Sequence, residues 1–181
     1  MPLDTATIDL EAERDQLLEA REELAEQLAW IEPSNPAYDS LEDQGKRIDN
    51  RLQGVEWALD DEKDDETPVD EAFDTVTLAA PTGGEFGKVE DRIADSRVGA
   101  DVEPGQGAGR VYMVAQGTVE APYVDDAETF EAKLSATAQL PVPYLKWAND
   151  RINELMSVGN GERRSFGALV AAKRRERSTE S

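Results

Sequence analysis

The chain contains no cysteine and no histidine. Those absences remove the usual zinc sites, thiol nucleophiles and imidazole acid–base catalysis. Lysine is scarce, and arginine outnumbers it. Near the N-terminus there is no basic stretch followed by an apolar one, and no apolar run reaches membrane-spanning length. The expectation is a soluble, intracellular protein. Carboxylate chemistry stays open but uninformative, because 40 Asp and Glu face 19 Lys and Arg, for a net charge of −21. A compact fold with that charge repels itself at ordinary ionic strength. Molar salt shortens the screening length to roughly 3 Å and removes most of the repulsion. Folding is therefore expected to depend on salt.

The fold class expected is mainly α, with one or two short strands. Residues 1–62 read as an antiparallel helical hairpin, a coiled-coil-like arm. In the first helix, 8–31, Leu10, Leu17, Leu24 and Ile31 recur every seven residues, and Leu28 thickens the stripe. At 1.5 Å per residue that helix is about 36 Å long. Asn35 and Pro36 then suit the cap and first position of a second helix, which runs to about residue 61. The seam is narrow, and Gly45 and Gly54 weaken the second helix by about 1 kcal/mol each. The arm is therefore expected to pack on something else. Residues 63–71 read as an acidic linker without the ligand spacing or central glycine of a calcium loop. Residues 72–158 form a small, mostly helical domain. It opens with an imperfectly alternating strand, in which Val76 and Leu78 share one face and Phe73 falls on the other. A helix follows near 83–96. Residues 108–117 read as helix or strand, and "PGQGAGR" (104–110) as a flexible loop. A helix at 127–138 is capped by Asp125 or Asp126. The last helix carries Leu145, Ala148, Ile152, Leu155 and Met156 on one face, with Pro141 and Pro143 at its start. Residues 159–181 make a basic, flexible tail.

The segment "TLAAPTGGEFGKVEDRI" (77–93) invites comparison with a phosphate loop, G-x-x-x-x-G-K-[ST]. Aligned on Gly87-Lys88, it has Thr82 in place of the first glycine and Val89 in place of the hydroxyl. Glu85 would put a carboxylate inside the phosphate cradle. The alternative is a capping box, in which Thr82 accepts from the first turn and Glu85 reaches back. Phe86, Val89 and Ile93 then line an apolar stripe. The segment is a capped helix start, and no other constellation supports catalysis. No catalytic residue, cofactor or metal site is assigned, and the chain is expected not to be an enzyme. Nucleic acid is not an expected partner, because phosphates would meet a strongly acidic molecule in high salt; a membrane is not expected either.

Abundant acid with sparse lysine resembles the proteins of halophilic archaea. Three stretches, "VTLAAPTGGEFGKVEDRI", "GTVEAPYVDDAETFEAKL" and "LPVPYLKWANDRINELM", are similar to the strand and turn, the acidic link and the final helix of the tail assembly chaperones of tailed viruses. The resemblance covers residues 75–158 and implies a haloarchaeal virus or provirus. It also implies a protein that keeps the apolar, helical tape-measure protein soluble in the host cytoplasm and is absent from the mature virion. The hairpin and the tail have no counterpart in it. Candidate partner contacts are Trp30 and Trp57 on the arm, and Tyr144 and Trp147, which sit off the apolar stripe of the last helix. Arg163, Arg164, Arg174 and Arg175 of the tail join them, facing an acidic partner surface or the chain's own arm. The competing reading is a structural virion or scaffold protein that forms homo-oligomers through the hairpin.

Overall fold

The computed structural model describes residues 4–63, 67–97 and 106–158; Arg163, Arg164, Arg174 and Arg175 lie outside them. Strand β1 (Thr5–Asp9) runs directly into helix α1 (Leu10–Ala29). The Asp9 side chain caps the junction by accepting from the Ala12 amide at 3.0 Å. Leu10, Leu17 and Leu24 are buried, as the heptad spacing requires. A turn leads to α2 (Tyr38–Leu59), which begins later than Asn35 suggested. The Asn35 side chain accepts from the Ala37 amide at 2.9 Å and shapes the turn before the helix.

After the acidic run, β2 (Thr75–Ala79) forms the middle of a sheet ordered β1-β2-β3, antiparallel throughout. β1 pairs in the register Thr5↔Ala79 to Asp9↔Thr75. The weak alternation of β2 has a physical cause: Val76, Thr77 and Leu78 are all buried, so both faces of this central strand are covered. Helices α3 (Gly83–Arg97) and α4 (Gln106–Gly117) follow, then β3 (Thr118–Glu120), α5 (Phe130–Ala138) and α6 (Val142–Val158). The fold is thus mainly helical with a small sheet, as the sequence indicated, but with three strands among the described residues. Residues 106–117 resolve as helix, including part of the expected glycine loop. The cap of α5 is Thr129, whose hydroxyl accepts from the Ala132 amide, and neither Asp125 nor Asp126.

One hydrophobic core holds these elements, with Leu10, Leu52, Val55, Phe73, Leu78, Val114, Trp147 and Ile152 among its members. It crosses the acidic stretch between hairpin and domain. Val69 and Phe73 are buried, and the Phe73 amide donates to the Ala58 carbonyl at 2.9 Å. The hairpin's base therefore has its packing partner within the chain: α6 lies along α2, and α4 and β2 in turn pack on α6.

Candidate partner-binding surface

α6 is central, and that decides the fate of two candidate contacts. Tyr144 and Trp147 were expected to face a partner, off the stripe of Leu145, Ala148 and Ile152. Both are fully buried. A helix enclosed on several sides needs apolar residues all round, so a single-stripe reading misplaces its aromatic side chains. Trp57 is half-buried. Its ring meets Tyr144 edge-on at 5.1 Å and Phe73 at 6.0 Å. The Lys63 amine sits 4.6 Å over it while donating to the Trp57 and Ala58 carbonyls at the end of α2. Trp57, Tyr144 and Trp147 thus belong to one aromatic cluster with Phe73 and Tyr123. Inside it the Tyr123 hydroxyl contacts those of Thr118 at 3.0 Å and Tyr144 at 3.4 Å. Burial pushes both phenol pKa values up. Among the described residues no buried side-chain nitrogen or oxygen lacks a hydrogen-bond partner.

Sequence reasoning missed Glu13. It lies on the leucine stripe itself, three residues after Leu10 and four before Leu17, and it is 3 % exposed. Trp147 donates its indole N–H to Glu13 at 3.0 Å, and the Arg151 guanidinium donates through Nε, also at 3.0 Å, and through Nη2. Arg151 reaches Glu154 at 2.6 Å, and Arg51 of α2 bridges Glu154 at 2.8 Å and Asp150 at 3.1 Å. Two arginines thereby tie α1, α2 and α6 together. A partly buried network of this kind is screened by salt far less than exposed pairs.

Trp30 remains. It is 91 % exposed at the end of α1, where the chain turns toward α2. Half-buried Leu28 and Ile31 precede the turn, and half-buried Tyr38 and Leu41 follow it at the same end of the hairpin. Glu22, Glu23, Glu26, Glu32 and Asp39, in the same stretches of chain, are all exposed. Leu24 is the last buried residue before it. The heptad stripe thus continues past the region where α6 and the sheet cover it. Chemically this end offers apolar area and an exposed indole N–H on a strongly acidic stretch of chain, which suits another polypeptide.

The Gly-Lys segment forms the capping box. Glu85 accepts from the Thr82 amide at 2.7 Å and its hydroxyl at 2.8 Å, and the Glu85 amide approaches the Thr82 hydroxyl at 3.3 Å. These bonds hold the Glu85 carboxyl below its ordinary pKa. Among the described residues no group of three or more acidic side chains is arranged to hold a metal, and no helix is long and apolar enough to cross a membrane. No family model, curated protein or solved structure matches the chain.

Proposed function

We propose that this chain is a non-enzymatic assembly chaperone of a tailed virus or provirus in a halophilic archaeal host. It binds the tape-measure protein in the host cytoplasm and keeps it soluble until the tail forms. The observation that carries the reading is the uncovered end of the hairpin, where Trp30 stands 91 % exposed beside Leu28, Ile31, Tyr38 and Leu41. Exposed tryptophan beside apolar residues is the composition of a binding anchor, because it brings large contact area at low entropic cost. A client with exposed helical stripes would lay them along that end, as amphipathic helices do in hydrophobic grooves. The net charge of −21 would keep the complex dispersed. The choice of the tape-measure protein as client rests on the resemblance of residues 75–158 to tail assembly chaperones.

Co-expression in molar KCl with a tape-measure protein of a haloarchaeal tailed virus tests the proposal. The client should stay soluble with the intact chain and precipitate without it. Trp30→Ala should weaken the complex by about 2 kcal/mol or more, roughly thirtyfold, without unfolding the chain. The protein should be absent from purified virions. Its presence there at fixed stoichiometry would favour the structural or scaffold reading instead.

A further inference from the structure

Cations are scarce in this chain, and three of them gather where α3 and α5 both pack on α4. Lys88 and Arg92 are four residues apart and share one face of α3. On α5, Phe130 and Lys133 are three apart and share another. Two clefts lie here, about 280 Å³ between the faces of α3 and α5 beside Lys88, Arg92 and Phe130, and about 370 Å³ beside Lys133, Val119 and the Thr82–Glu85 cap. Gln116 of α4 lines both clefts, so they adjoin across its side chain as two lobes of a trough.

The charges in this trough are held but poorly answered. The Arg92 guanidinium lies 4.5 Å over the Phe130 ring, so its planar donor fork is already oriented. Its carboxylate partner, Glu131 at 3.1 Å, is 72 % exposed, and such surface pairs contribute little and are readily exchanged. Lys133 donates its amine to the Thr118 carbonyl. Burial pushes its pKa down, and no carboxylate among the described residues opposes that burial. Glu85, the acid lining the same cleft, is committed to the Thr82 cap. Among the described residues of a chain so rich in acid, this half-buried ammonium thus has no anionic partner. Beside it, Val119 is 48 % exposed and Phe130 is half-buried, giving apolar walls.

We infer that this trough binds an acidic segment of a partner polypeptide. A partner carboxylate is held between Arg92 and Lys133, Gln116 lies beneath it, and a neighbouring apolar side chain rests on Phe130 and Val119. The chain's own net charge does not forbid this. At molar salt the screening length is roughly 3 Å, so distant carboxylates are silenced and the contacting groups decide. A carboxylate suits the site better than a phosphate group, because Glu85 and Glu131 at the rim would repel a more strongly charged anion. The inference is independent of the hairpin proposal.

The test uses the full chain in about 1 M KCl, where the Debye length is roughly 3 Å. The probe is a short peptide alternating Glu and Leu with an uncharged fluorophore, followed by anisotropy. Saturable binding is expected, with a Gln/Leu peptide at least about tenfold weaker, the scale of one charge-assisted hydrogen bond. Lys133→Gln and Arg92→Gln should each weaken it by a similar factor, Lys133→Arg should retain most of it, and Trp30→Ala should leave it unchanged. Far-UV spectra identify any variant that fails to fold, and wild-type footprinting gives a second reading. The peptide should slow acetylation of Lys88 and Lys133 by acetic anhydride but not that of Lys46. Equal binding of the Gln/Leu peptide, or unchanged acetylation of Lys133, would overturn the inference. So would full competition by inorganic phosphate or succinate at the peptide's own concentration, which would mark a small-anion site.

Discussion

Glu13 shows how much one side chain can hold. It takes hydrogen bonds from Trp147 and Arg151 across more than a hundred residues of sequence, and these bonds fix α6 against α1. Glu13→Ala would leave the buried Trp147 indole N–H without its acceptor and the half-buried Arg151 with Glu154 alone. Losing a buried acceptor in this way costs about 1–3 kcal/mol, so the urea midpoint in molar KCl should fall accordingly. Two glycines give opposite expectations. At Gly54 a Cβ would lie 2.6 Å from the Pro143 carbonyl oxygen and 2.9 Å from Tyr144 Cα, both backbone atoms of the crossing helix. Gly54→Ala should therefore destabilise by about 1–3 kcal/mol despite alanine's better helix propensity. Around Gly87 nothing lies within 4 Å of a built Cβ. Gly87→Ala should stabilise by up to about 1 kcal/mol in a thermal melt. Sequence alone marks Gly54 only as a weakness in α2; the close crossing of α6 gives it a purpose.

Among the elements, the hairpin divides into a covered base and an uncovered end. Leu52, Val55 and Ala58 of α2 are buried, whereas Trp30 to Tyr38 hold no buried residue. Local opening follows the density of buried contacts. Amide exchange should be slowest over 52–58 and fast over 30–38, and uniform protection along the hairpin would contradict this division. The heptad leucines were legible because a helix paired along one seam obeys a local period. α6 was not, because its surroundings come from α1, α2, α4 and β2. β1 was overlooked for a related reason: "TATID" is too short to stand out and becomes a strand only by pairing with β2.

For the molecule as a whole, charge sets the response to salt and acid. In dilute buffer the net −21 opposes compaction, so adding KCl to about 1 M should raise the thermal midpoint. Acid acts through two opposed effects. Burial pushes the Glu154 pKa up, but hydrogen bonds and charges from Arg151 and Arg51 outweigh this and leave it depressed. Glu85 is depressed by the Thr82 amide and hydroxyl. A depressed carboxylate stabilises the fold above its ordinary value of 4.5 and loses that stabilisation as pH falls through the folded value. In molar KCl, stability should hold near neutrality and drop below about pH 4.5. In dilute buffer, partial protonation first discharges the molecule, so stability should rise before it falls. Urea midpoints against pH at the two salt levels separate these effects.

The sequence by itself determined the helical class, the leucine seam, the Thr82–Glu85 capping box and the charge. Each of these is written in neighbouring residues or in simple sums. It also marked Trp30 as a surface candidate. Only the tertiary structure decided that Tyr144 and Trp147 are core, that Glu13 is answered by Trp147 and Arg151, and that the clefts beside Arg92 and Lys133 share Gln116. Those outcomes depend on which helices become neighbours, and long-range packing is fixed by the summed burial of the whole chain, which no local pattern records.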